Sequence, residues 1–255
     1  FAHNLPVRLS TFIGRQDELA TLNRLLAEHR LVTITGAGGA GKTRLALQTA
    51  ADHVDRYPDG TWWIELAPLT DTDKEPMPVA SVLQVPLTES GDRTEAIASH
   101  LGNDRALIVF DNCEHLDPLP AQVVQTLLER CPNVTVLATS RAPLDVPGEL
   151  SWRVPPLALP DRETVFSIDR LSQFESVQLF VDRAGHARPT FTLTDDNGPA
   201  VAEICSRLDG IPLAIELAAS RTKSMLPAQI LQGLDDALRL LSGGSRLVLP
   251  RQQTL

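Results

Sequence analysis

Cysteine is scarce in this chain of 255 residues. Cys113, Cys131 and Cys205 form an odd set without a C-x-x-C pair, which argues against a disulfide framework and against a zinc site built from paired ligands. Cys113 and His115 flank the same short stretch as Asp111, but with no second ligand pair they read as local packing or capping. Aromatic residues are also few, at 4% against 43% hydrophobic overall, so the core is expected to be aliphatic. No apolar run approaches the ~20 residues of a membrane-spanning helix, and a cytoplasmic protein with no membrane partner is expected. Positive charge is the last deficit. With 23 Lys and Arg against 32 Asp and Glu, the net charge is −9, which speaks against this segment gripping nucleic acid phosphates itself. Neither an initiator Met nor a signal-peptide pattern opens the chain, and "RQQTL" ends it without a closing element, so a segment of a longer protein is expected.

What is present begins with alternation. Leu19, Leu22, Leu25 and Leu26 lie on one helical face, and "LVTIT" (31 to 35) then reads as a buried strand. A helix over 42 to about 55, a strand in "GTWWIEL" (60 to 66), a helix over 92 to 101, and strands in "ALIVF" (106 to 110), "VTVLA" (134 to 138) and "LSWRV" (150 to 154) follow, with a helix over roughly 120 to 130 between. The proline-spaced segment 68 to 90 is expected to hold one short helix. Trp62, Trp63 and Trp152 read as core strand residues. Short buried strands separated by helices imply an α/β domain, a parallel sheet with helices on both faces.

The texture changes near Pro160. Five prolines fall between Pro143 and Pro160, and beyond them the apolar spacing is helical: Phe174, Val177, Phe180, Val181 and Ala184, then Val201, Ile204, Cys205 and Leu208. The second of these helices is expected to stop at Asp209-Gly210, the next to begin at Pro212, and a further one near Pro227. The division predicted is therefore a P-loop nucleotide-binding domain over 1–158 and a small all-α helical-bundle lid over 159–255.

The strongest motif is "TGAGGAGKT", which fits G-x-x-x-x-G-K-[ST] with Gly36, Gly41, Lys42 and Thr43, after a strand and opening a helix. Glycines let the backbone wrap phosphates; Gly38, Gly39, Ala40 and Gly41 would offer N–H groups, with Arg44 next in line, Lys42 would reach the β and γ phosphates, and Thr43 would hold Mg²⁺ with Asp111. Gly36, Gly38 and Gly41 also satisfy the dinucleotide pattern G-x-G-x-x-G, with Glu65 ending the next strand. That rival explains neither Lys42-Thr43 nor Asp111, which ends a third buried strand. "LSGGS" (241 to 245) resembles an ABC-type signature, but it lies far beyond Asp111 and reads as a linker.

In "VFDNCEHL" the residue after Asp111 is Asn112, an amide that can orient water but cannot take its proton at neutral pH. Glu114 is the nearest carboxylate, either approaching the γ-phosphate as a base or capping the following helix. Two functions stay open: a slowly hydrolysing nucleotide-held switch, and a P-loop ATPase or phosphotransferase with steady turnover of ~1 to 100 per second.

With "FIGRQDEL" (12 to 19), "GAGGAGKTRLA" (36 to 46), "VFDNCEHL" (109 to 116), "LATSR" (137 to 141) and "RLDGIPLAIELAA" (207 to 219) in that order, the chain resembles STAND-class P-loop NTPases, relatives of NB-ARC modules. It is most similar to the ATPase module of large bacterial transcriptional regulators of the LuxR and AfsR types. The resemblance implies that Phe12, Ile13 and Arg15 neighbour the base and ribose, that Arg141 senses the terminal phosphate, and that Pro212 in the "GIPL" motif closes over adenine. It further implies ATP or ADP with Mg²⁺ between the two domains, self-association when ATP is bound, DNA contact only through other domains, and a winged-helix domain following "RQQTL", whose ADP-locking histidine lies outside this segment.

Overall fold

The computed structural model describes residues 2–67, 76–86, 92–116, 118–161 and 168–234. Five parallel strands form one sheet: β1 Leu31–Thr35, β2 Thr61–Glu65, β3 Leu107–Asp111, β4 Thr135–Ser140 and β5 Leu150–Arg153, in the order β2-β3-β4-β1-β5. Central strands β1, β3 and β4 are buried at every position, as expected of parallel strands covered on both faces. Asp111 belongs to β3 itself, as its last residue.

Helices cover both faces. Residues of α1 Gln16–Glu28 and α2 Lys42–His53 share an apolar cluster with Val32, Ile34, Val109 and Leu137. The other face buries α3 Met77–Val82, α4 Arg93–Leu101 and α5 Leu119–Arg130 against Ile64, Ile108, Phe110 and Val136. Alternate residues of β3 thus feed opposite cores, which is the strand period at work. Helix α3 is the short helix expected between 68 and 90; the remainder of that segment, 68–75 and 87–90, and the "LSGGS" linker lie outside the described residues. Helix α4 starts at Asp92, whose side chain accepts from the backbone N–H groups of Thr94 and Glu95. Trp63 is buried, and Trp62 and Trp152 are partly buried against the two apolar clusters.

The chain divides into two compact units, Phe1–Pro155 and Pro156–Leu255. Among its described residues the second unit is helical: α6 Ile168–Leu171, α7 Glu175–Ala187, α8 Gly198–Arg207, α9 Pro212–Ser220 and a helix running from 227 to 234. Helix α6 is one turn and too short to leave a periodic signal. Val177, Phe180, Ala184, Val201, Ile204, Cys205 and Ile215 are fully buried, so the two expected apolar faces do meet in a common core. Arg183 of α7 binds Glu216 of α9 at 2.9 Å, tying the core's polar edge.

Asp209 and Gly210, after α8, both have positive φ, 51° and 64°. Gly210 is required there for a second reason: a Cβ would lie 2.5 Å from the carbonyl oxygen of Leu157. The two backbones are joined by the Leu157 N–H, which donates to Gly210 O at 3.0 Å. The "GIPL" motif therefore begins on a residue pressed against the chain that enters the unit.

Candidate functional site

The phosphate loop leaves β1 at Thr35 and enters α2 through Gly41, whose φ of 91° is a left-handed conformation that favours glycine. Within the loop, Lys42 turns back so that its Nζ donates to the carbonyls of Gly36 (2.9 Å) and Ala37 (3.1 Å). Its side chain is 7% exposed, and burial lowers its pKa from the ordinary lysine value. Glu114 and Asp111 oppose that shift, whereas Arg141 adds to it, so all three charges bear electrostatically on the lysine.

From the second residue of α2, the Thr43 hydroxyl donates to Asp111 Oδ1 at 2.8 Å. The same oxygen receives the hydroxyl of Thr139 from β4 at 2.6 Å, and Asp111 Oδ2 receives the side-chain amide of Asn112 at 3.3 Å. Asp111 is 1% exposed, so this carboxylate is held from both sides in a site shut off from bulk water. Two hard oxygen donors on separate elements, Thr43 Oγ1 and Asp111 Oδ1, meet beside the loop. That donor chemistry suits Mg²⁺, which takes oxygen ligands and prefers one or two protein groups alongside phosphate and water. The residues present thus fit the metal, with Thr43 and Asp111 the groups that would hold it. Among the described residues no cluster of three or more His, Cys, Asp or Glu side chains is placed to hold an ion. Cys113 is buried, its thiol turned to the Phe110 carbonyl.

Asn112 adopts the left-handed conformation, φ 61° and ψ 50°, which asparagine tolerates better than most residues. Its side-chain amide donates to Asp111 Oδ2. The chain then makes a short 3₁₀ turn, Cys113–His115, that carries Glu114. Glu114 does not cap the next helix: α5 begins at Pro118 with no side-chain cap, and Glu114 Oε1 instead receives Arg141 Nε at 3.2 Å. Glu114 Oε2 is buried and has no hydrogen-bond partner among the described residues. Arg141, two residues beyond Thr139, is 70% exposed.

Lys42, Thr43, Asp111, Glu114 and Arg141 therefore gather at the carboxyl ends of β1, β3 and β4, where α/β folds place ligands. Other expected site residues are placed differently. Arg15 is buried and left-handed (φ 66°); its guanidinium binds Glu18 Oε1 and the Pro155 carbonyl, both at 2.7 Å, and reaches Ala40 O at 3.4 Å. It braces the loop from below through a backbone carbonyl. Phe12 packs on the α1–α2 cluster, and Ile13 is half-buried. Arg44 binds Ser10 and the carbonyl of Thr11, fastening the amino-terminal arm to α2. Gly38 faces open space, and Gly39 is left-handed. Pro212 opens α9 in the second unit, where its missing N–H costs nothing. The sequence marks Thr139 as the start of the sensor segment that runs to Arg141 in "LATSR", but assigns it no role of its own.

A search of solved structures returns the same architecture. The chain matches a Walker-type ATPase of Pyrococcus abyssi with a TM-score of 0.56 over 94% of this chain and 77% of that one, at 13% identity. It matches a STAND protein with a tetratricopeptide repeat sensor from Pyrococcus horikoshii with a TM-score of 0.52 over 95% of this chain and 36% of that one, at 17% identity. In sequence it is 45% identical over 234 residues to a Mycobacterium tuberculosis protein assigned by name as an HTH-type transcriptional regulator, covering 92% of this chain and 25% of the relative. The chain has the fold of these P-loop ATPases. It is also 40% identical over 253 residues to an uncharacterised M. tuberculosis protein (99% of this chain, 61% of that one) and 27% identical over 231 residues to the regulatory protein AfsR of Streptomyces griseus (85% and 21%). No protein-family model matches it. The chain thus spans about a quarter of the named regulators it resembles. Among its described residues no helix is long and apolar enough to cross a membrane.

Proposed function

We propose that this chain is a STAND-type module, a nucleotide-held switch that binds ATP or ADP with Mg²⁺ and hydrolyses ATP slowly. The observation that carries the reading is the junction of Thr43 and Asp111 at 2.8 Å beside the loop that Lys42 completes. A carboxylate buried at a strand end against two hydroxyls supports that reading. Bound Mg²⁺ would neutralise phosphate charge at that point. The chain's own residues do the rest: loop N–H groups and Lys42 bind the phosphates, and Thr43 and Asp111 hold the metal. Asn112 has its amide on Asp111 and offers no base, which supports slow turnover.

Arg141 supports a sensing role because its side chain is 70% exposed and its pair with Glu114 is exchangeable for a phosphate. A nucleotide shifts a conformational equilibrium only through contacts that differ between its two forms, and an arginine that leaves a carboxylate for a γ-phosphate supplies such a difference. In a regulator of the kind this chain resembles, ATP would favour self-association, and DNA would be bound by other domains in the cytoplasm.

Denaturing the purified module and identifying any released nucleotide tests the proposal. Stoichiometric ADP is expected. An empty site with turnover of ~1 to 100 per second would instead mark a steady ATPase. That second reading has one observation in its favour, the buried, unpartnered Oε2 of Glu114, which is free to accept a proton from an attacking water. Glu114→Gln separates the two: a steady ATPase based on Glu114 loses turnover by orders of magnitude while keeping nucleotide, whereas a switch without a carboxylate base changes little.

A further inference from the structure

Thr139 is fully buried on β4, the strand between β1 and β3. It sits opposite Ile34 in the register with β1, and one position beyond the last β3–β4 pair, Phe110 with Ala138, which sets it level with Asp111. A hydroxyl carries one hydrogen and two lone pairs. Here the hydrogen goes to Asp111 Oδ1 at 2.6 Å, and a lone pair takes the backbone N–H of Asn112 at 3.0 Å.

Those two bonds fix different things. The first orients the carboxylate. Thr43 also donates to that oxygen, but Thr43 is itself one of the two groups that would hold the metal, so Thr139 is the donor to Oδ1 that would stay with the carboxylate when the metal is bound. The second bond pins the left-handed residue from which the chain turns to deliver Glu114, and Glu114 meets Arg141, two residues beyond Thr139 on the same strand segment. We infer that Thr139 is the positioning residue of the site, its single hydroxyl setting both the metal-facing carboxylate and the turn that brings Glu114 to Arg141.

This inference rests on the nucleotide-and-Mg²⁺ reading above, and it adds a dependence that reading does not contain. Outer-shell partners of metal ligands typically matter by 10- to 100-fold in metal affinity. Valine matches threonine in shape and lacks the hydroxyl; serine keeps the hydroxyl and lacks the methyl. The experiment follows a fluorescent ADP analogue binding to nucleotide-stripped wild type, Thr139→Val and Thr139→Ser across a Mg²⁺ series and again in chelator.

Thr139→Val is expected to raise the Mg²⁺ concentration for half-maximal binding by about 10-fold or more, with binding in chelator within about twofold of wild type. Thr139→Ser should titrate within about threefold of wild type. If the valine protein does not fold, Thr139→Ala carries the same comparison, losing the hydroxyl without adding a methyl. A valine variant that titrates like wild type overturns the inference, as does a serine variant as impaired as valine, which would make the methyl's packing the cause. Wild type binding ADP with no Mg²⁺ dependence at all overturns the underlying reading instead, and is recognised without any variant.

Discussion

Replacing Lys42 with methionine keeps most of the side chain's volume and removes only the ammonium. That ammonium sits on a nearly buried residue and donates to two loop carbonyls, Gly36 and Ala37. Hydrogen bonds to a charged group contribute about 1.5 to 3 kcal/mol each. If the lysine spends two of its three donors on phosphate oxygens when nucleotide is bound, the methionine variant loses about 3 to 6 kcal/mol of binding, or roughly 10²- to 10⁴-fold in Kd. Stability should move little, within about 1 kcal/mol, because relief of the ammonium's desolvation offsets the loss of the Gly36 bond, and Ala37 O keeps the Ala40 N–H. The pH dependence gives a second signature. Burial lowers the folded-state pKa of Lys42, so the unfolded chain binds more protons in the alkaline window between that lowered value and the ordinary one. Wild type therefore gains stability as pH rises through this window, and the methionine variant should show a flatter alkaline limb. Equilibrium binding of a fluorescent ADP analogue and denaturant unfolding from pH 7 to 10.5 measure both. Binding within threefold of wild type would refute the assignment, and a stability loss above about 3 kcal/mol would make Lys42 a scaffold residue instead.

Gly210→Ala places a Cβ 2.5 Å from the Leu157 carbonyl at φ 64°, so at least ~2 kcal/mol of stability should be lost in denaturant unfolding; a loss under 0.5 would contradict the packing described. Asn112→Asp replaces the amide that donates to Asp111 with a second carboxylate beside the first. It should be destabilised by about 1 kcal/mol without metal, recover with Mg²⁺, and hydrolyse ATP faster than wild type; unchanged turnover would show that slow hydrolysis does not stem from the amide at 112. Asp92→Ala removes a cap on the Thr94 and Glu95 N–H groups and should cost about 1 kcal/mol while leaving nucleotide affinity unchanged, which serves as a control for purely structural loss.

Much of the fold was legible because parallel buried strands and amphipathic helices write their periods directly into sequence. "LVTIT" matches β1 residue for residue, and the apolar spacing of 174 to 184 and 201 to 208 marks the faces that α7 and α8 bury. Strand order was not legible, since period says nothing about which strand lies beside which; that β4 separates β1 from β3 comes only from the structure. The loop motif named Lys42 and Thr43, and strand-end position named Asp111. The directions of Asn112 and Glu114 could not be read because one left-handed residue redirects everything after it. Arg15 illustrates the remaining gap: a motif fixes that an arginine is present, but whether it faces a ligand or a buried carbonyl depends on a fold contact 140 residues away at Pro155.

The separation of β1 from β3 has a consequence for the size of the ligand site. Adjacent strands lie about 4.8 Å apart, so two strands with one between them leave a gap of roughly 10 Å. A loop rising from β1 must therefore arch across the end of β4 before its helix can set Thr43 against the tip of β3. The arch is a roof with a floor one strand wide, and the end of that floor strand, at Thr139 and Ser140, lies beneath the loop. A large side chain there would fill the vault, and an apolar one would leave the floor without polar atoms. The sheet's wiring, more than any single contact, dictates that this spot be small and able to both give and accept a hydrogen bond.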